Sequence, residues 1–132
     1  MAQTSHTLTL SLLTGRYAVA KLPAGVQIPE SATHGEFFCV TRTADELSLV
    51  TAERNVPAGA NVAEGWRVLK VHGPFEFTEV GVLASLTEPL AHDGVAIFVV
   101  STFDTDYLLV REENLRAAIA ALQRAGHHVL GI

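Results

Sequence analysis

The chain holds one cysteine, one tryptophan and one methionine in 132 residues, and no apolar run near the ~20 residues that cross a bilayer. Each shortage excludes a class. Cys39 has no second cysteine to pair with, so no internal disulfide forms, which suits a reducing compartment. The nine Lys and Arg residues are spread singly against fourteen Asp and Glu, giving a net charge of -5 and no basic stripe; nucleic acid is not expected as a partner. There is no glycine-rich phosphate loop, no G-x-S-x-G elbow and no H-x-x-x-H pair, so neither catalytic residues, metal nor cofactor is expected. Met1 to His6 lacks the basic start and apolar stretch of a signal peptide. The expectation is a cytoplasmic protein that meets no membrane. At this length a chain buries roughly two-thirds of its unfolded surface and needs no staple.

What is present is sheet-forming. Short apolar bursts rich in Val, Ile, Phe and Tyr, punctuated by Gly, Pro and acids, predict strands over 7–13, 16–22, 36–41, 46–51, 67–72, 94–102, 106–111 and 127–132. Thr14-Gly15 predicts a tight turn, and Pro57 through Gly65 a loop. Pro23 to Gly35 leaves room for a short helical turn. Leu115, Ala118, Ile119, Leu122 and Ala125 form one apolar stripe, so an amphipathic helix is predicted over 112–125, followed by Gly126 as its C′ residue. Val82, Leu83, Leu86 and Leu90 make a second stripe over 80–91, where Pro89 removes the bond to Ser85 and predicts a short or bent helix. From Arg67 the order is strand, helix, strand, strand, helix, strand. That is a ferredoxin-like βαββαβ unit in 66 residues. The first 66 residues then form a second layer or a degenerate copy, and no strict sequence repeat joins the halves.

The stretch Phe77 to Val110 resembles the ACT domain, in particular the ACT units of lysine-sensitive aspartate kinases and of cytosolic arginine sensors of the TOR pathway. Three pieces carry the likeness: Gly81-Val82-Leu83 opening a helix, Pro89-Leu90 followed by Gly94-Val95, and the hairpin Ser101 to Asp106 running into Leu108-Leu109-Val110-Arg111. Leu10 to Val19, Phe37-Phe38 and Thr41 to Val50 look like the smaller ACT unit that precedes the regular one in small bacterial proteins of this kind. The resemblance implies an α+β protein of two tandem ACT-like units packed together, 1–66 degenerate and 67–132 regular. It also implies a regulatory sensor that binds a free amino acid, works as a homodimer and acts on an unidentified enzyme. No kinase or other catalytic domain is expected.

An amino acid needs N–H donors for its carboxylate, an acid for its ammonium group and a wall for its side chain. By likeness to the arginine sensors, Glu79, Val80, Gly81, Val82, Thr102, Phe103 and Asp106 occupy the matching positions. The helix start at Val80, Gly81 and Val82 offers unpaired N–H groups. Glu79 and Asp106 would meet cationic groups, and Thr102 and Phe103 form the wall. The same residues also have plainer readings: Gly81 as a close-packing position, Glu79 as a first-turn acid, Asp104 or Asp106 as turn caps and Phe103 as a core lid. An ACT-fold interaction module without ligand, regulating a partner by contact, is the alternative, and a small enzyme using His72, His127 or Cys39 a third. His127 and His128 begin a strand and face opposite ways, so one is expected buried and hydrogen-bonded and the other exposed. Cys39 is read as a small core residue and Trp66 as a core or interface aromatic.

Overall fold

The computed structural model describes residues 6–132; the signal-peptide reading of the first five residues lies outside them. The chain divides into two compact units, one formed by residues 6–14 with Arg67–Ile132 and the other by Gly15–Trp66. The fold is α+β. The strands among the described residues are β1 (Thr9–Leu12), β2 (Tyr17–Leu22), β3 (Cys39–Arg42), β4 (Leu47–Ala52), β5 (Asn61–Val71), β6 (Ile97–Ser101), β7 (Asp106–Arg111) and β8 (His128–Leu130); α1 is Val82–His92 and α2 Leu115–Arg124.

In the larger unit the second half of β5, α1, β6, β7, α2 and β8 follow one another as βαββαβ. Neighbouring strands run β6-β7-β5-β1-β8. The ferredoxin-like order is therefore kept, with the chain's first strand inserted between β5 and β8. β1 pairs antiparallel with β5 (Leu10 opposite Val71) and parallel with β8 (Leu10 opposite Val129). Leu8 and Leu10 join Leu69, Val71, Leu86, Leu90, Leu108 and Leu122 in the core beneath the two helices. A boundary at 66/67 thus separates the units only for the chain beyond Thr14. The first strand belongs with the later residues, because pairing across more than fifty residues leaves no local trace in an alternating pattern.

The Gly15–Trp66 unit has the same plan with its helices reduced to single 3-10 turns, at Glu30–Thr33 after β2 and Glu53–Asn55 after β4. Its strand order is β3-β4-β2-β5, all antiparallel, and Ala20, Ala32, Leu47 and Leu49 form its core. Tyr17 meets Phe37 edge to face, with ring centroids 5.9 Å apart. The loop expected up to Gly65 ends earlier, since β5 begins at Asn61. Gly65 fits inside the strand because the register slips there, from Tyr17 opposite Trp66 to Val19 opposite Ala63, and Gly65 adopts φ +81°. Its N–H turns to the Glu53 carboxylate, 2.7 Å away, which also pairs with Arg16 at 3.2 Å.

α1 runs unbroken through Pro89 to His92. The carbonyl of Ser85, which Pro89 cannot satisfy, lies 2.8 Å from Nε2 of His127. His127 is buried, and its Nδ1 accepts the Leu8 N–H at 3.1 Å. An amide N–H can only donate, so the ring proton sits on Nε2 and points at Ser85. One histidine thereby completes a proline-interrupted helix and ties down the chain ahead of β1. His128 is exposed, as its alternation with His127 predicts. Trp66 is buried, and Cys39, at the start of β3, is half-buried with Sγ 3.9 Å from the Thr41 hydroxyl.

Candidate functional site

In the larger unit, the chain leaving β5 (73–81) crosses over the β6–β7 hairpin. The two are pinned by the Phe75 N–H, which donates to the carbonyl of Asp104 at 2.8 Å. Gly73 makes this approach possible: a Cβ placed there would stand 2.7 Å from the same carbonyl oxygen. Between the crossing segment, the start of α1 and the hairpin lies a cleft of about 440 Å³.

The helix start is open. Gly81 stands at the N-cap with φ +86°, has no side chain with which to cap, and the first helical bond comes from Ser85 to its carbonyl at 3.0 Å. The N–H groups of Val82, Leu83 and Ala84, residues that line the cleft, precede that bond. Together with the helix dipole they favour an anionic group there. Four acidic residues, Glu76, Glu79, Asp104 and Asp106, line the same cleft, and among the described residues no basic side chain lines it. Such a site offers backbone donors to a carboxylate and acids to ammonium or guanidinium groups.

Six of the seven residues singled out in the sequence line this cleft: Glu79, Gly81, Val82, Thr102, Phe103 and Asp106. Val80 does not. It is 81% exposed, and its carbonyl lies 3.1 Å from Nε2 of His6. Glu79 Oε1 accepts the Glu76 N–H at 3.0 Å, so one carboxylate oxygen holds its own loop. Asp106 accepts the Ser101 hydroxyl at 2.5 Å across the hairpin. The Thr102 hydroxyl is spent within the turn, donating to the Thr105 carbonyl at 3.1 Å and accepting its N–H at 3.3 Å. Val82 sends its side chain into the core. Phe103 is no core lid: it is 77% exposed and meets Phe77 edge to face at 4.8 Å, bridging loop and hairpin.

Phe77, Glu76 and Ser101, which the sequence reading did not single out as ligand contacts, also line the cleft. The Thr102-x-Asp104 spacing, repeated at Thr43-x-Asp45, was a signal available for the hairpin itself. The three candidate catalytic residues have separate surroundings. His72 is exposed with Nε2 2.6 Å from the Ser11 hydroxyl, His127 is spent on Leu8 and Ser85, and Cys39 lies in the Gly15–Trp66 unit. Among the described residues no three His, Cys, Asp or Glu side chains are grouped to hold a metal, and no helix is long and apolar enough to cross a membrane.

Comparison with known proteins places the cleft in a family. The ACT domain model matches residues 61–124, and a second model, of an N-terminal domain, matches 15–59. A protein of Agrobacterium tumefaciens of known structure is 43% identical, with 96% of this chain and 94% of that one covered and a TM-score of 0.90. The ligand-free regulatory subunit of aspartate kinase from Thermus thermophilus shares the fold at 10% identity, with 92% and 99% covered and a TM-score of 0.65. Subunit 1 of the rat cytosolic arginine sensor for mTORC1 is 39% identical over 104 residues, 73% of this chain and 31% of that protein; its human counterpart is 37% identical over 62 residues, 46% and 19%. The chain thus spans about a third or less of the curated relatives it matches. With β5, the glycine-started helix α1, the β6–β7 hairpin and α2 all in the matched region, the chain carries an ACT domain.

Proposed function

We propose that the protein is a non-catalytic regulatory sensor that binds a free basic amino acid in the cleft between the α1 start and the β6–β7 hairpin. The observation that carries this reading is the pairing, within one cleft, of an uncapped helix start with four acidic residues and, among the described residues, no basic side chain. A neutral amino acid has a single positive group for those acids, whereas arginine or lysine brings two. The name of the rat relative, an arginine sensor, points the same way. In this reading Gly81 and Val82 present backbone donors to the ligand carboxylate, Asp106 and Glu79 receive its cationic groups, and Thr102 and Phe103 shape the wall. The two units are tandem ACT-like units, the Gly15–Trp66 unit being the reduced copy, and their common strand order supports that. Pairing into a homodimer would cover β6 and β8, the edge strands among the described residues of the larger unit.

A thermal-shift panel of the twenty amino acids tests the proposal. A ligand at ~100 times its dissociation constant adds about 2.7 kcal/mol, which at this chain length raises the melting temperature by roughly 10 °C. Arginine or lysine is expected to stand out, and Asp106→Ala to remove most of the shift. A flat panel at millimolar concentrations would refute a sensor. It would leave the other reading, a contact module without ligand, which the exposed apolar group Phe77, Val80 and Phe103 at the same edge favours.

A further inference from the structure

The two units carry the same hairpin. β3 ends at Arg42, opposite Leu47, and β6 ends at Ser101, opposite Asp106. In each a threonine follows and turns the chain in the same way. The Thr43 N–H donates to the Glu46 carbonyl at 2.9 Å and its hydroxyl accepts the Glu46 N–H at 3.2 Å; the Thr102 N–H donates to the Thr105 carbonyl at 2.8 Å and its hydroxyl accepts the Thr105 N–H at 3.3 Å. An aspartate stands two residues on in both, Asp45 and Asp104. Arg42 therefore occupies the place of Ser101, and the segment after β2 (23–29) the place of the segment after β5 (73–81).

At the matching positions the two units differ in charge. Ser101 and Asp106 face the cleft as a hydroxyl and a carboxylate. Arg42 instead reaches from the hairpin to the segment after β2, donating from Nη1 to the Ala24 carbonyl and from Nη2 to the Val26 carbonyl at 2.7 Å. Two adjacent carbonyl acceptors met by two nitrogens of one planar fork make a guanidinium site.

We propose that the Gly15–Trp66 unit contains a guanidinium-binding site between its β3–β4 hairpin and the segment after β2, occupied by the protein's own Arg42. The side chain acts there as a tethered ligand, locking hairpin to loop and keeping small guanidinium compounds out. Removing it opens the site to a guanidinium cation from solution.

The test is chemical rescue. Wild type, Arg42→Ala and Arg42→Lys are melted in about 20 mM ethylguanidinium chloride and in sodium chloride of equal strength, conditions in which a cation of millimolar affinity fills the site. Arg42→Ala is expected to melt about 4 °C below wild type and to regain half or more of that in ethylguanidinium alone. Wild type should respond alike to both salts, and Arg42→Lys, whose single ammonium has no fork, should melt below wild type and gain little. Ethylguanidinium raising Arg42→Ala no more than wild type would overturn the proposal, as would an Arg42→Ala that melts with wild type. Should Arg42→Ala not fold in either salt, Arg42→Lys decides, since melting equal to wild type overturns the fork. A chain that binds no amino acid at the 73–106 cleft would still show this rescue, so the two readings fail separately.

Discussion

Gly73→Ala is a one-methyl perturbation whose consequence follows from a single distance. The new Cβ would stand 2.7 Å from the carbonyl oxygen of Asp104, 3.2 Å from Thr105 Cβ and 3.3 Å from the Phe75 nitrogen. Two of these three atoms belong to backbone, which cannot swing aside as a side-chain tip can. Relief comes only by lifting the loop off the hairpin, and that stretches the 2.8 Å bond from Phe75 N–H to the same carbonyl. Overpacking of this kind costs about 1–3 kcal/mol and a lost hydrogen bond about 1 kcal/mol more, so a loss of about 2–4 kcal/mol is expected. For a chain of this length that is a fall of about 8–16 °C in melting temperature. Gly25→Ala is the control: it has ordinary φ and no atom within 4 Å of its Cβ position, so it should be neutral or stabilising by up to ~1 kcal/mol. Thermal melts of both variants, with amide exchange at Phe75, measure the effect. A Gly73→Ala protein that melts with wild type and keeps its Phe75 amide protected would refute the crossing of loop over hairpin, and with it the cleft.

His127→Ala leaves the Leu8 N–H and the Ser85 carbonyl without their partner. A buried group so orphaned costs about 1–3 kcal/mol, so a loss of about 2–4 kcal/mol is expected in urea denaturation; an unchanged midpoint would refute the clasp. Tyr17 gives a pH dependence. Burial first, and then the nearby Glu36 carboxylate, hold its hydroxyl above the usual value of 10.0, with Arg54 working in the opposite direction. A raised pKa in the folded state means that neutral Tyr17 favours folding. That contribution is complete below pH 10 and is lost as the pH rises through the folded value. The urea midpoint of wild type should therefore fall more steeply above about pH 10 than that of Tyr17→Phe, and parallel curves would contradict it.

The local chemistry of the sequence determined the elements. Alternating Val, Ile and Leu between Gly and Pro marked every strand, all but β5 to within a few residues and β5 with Asn61 to Gly65 read as loop. The stripe through Leu115, Ala118, Ile119 and Leu122 marked α2, and that through Val82, Leu83, Leu86 and Leu90 marked α1, with a start expected at Val80 and found at Val82. The family resemblance pointed to six of the residues that line the cleft. What the tertiary structure decided were matters of partnership between distant residues, for which a local pattern holds no information. β1 joins β5 and β8 because those strands lie beside it, not because Thr9–Leu12 differs from any other short strand. α1 survives Pro89 because a histidine thirty-eight positions later satisfies the freed carbonyl. Asn61 to Gly65 is strand because a bulge there finds the Glu53 carboxylate. Phe77 and Glu76 reach the cleft because Gly73 has no side chain to keep the loop from the hairpin. Arg42, one more cation in the sequence, donates to the Ala24 and Val26 carbonyls only because the fold sets them before it.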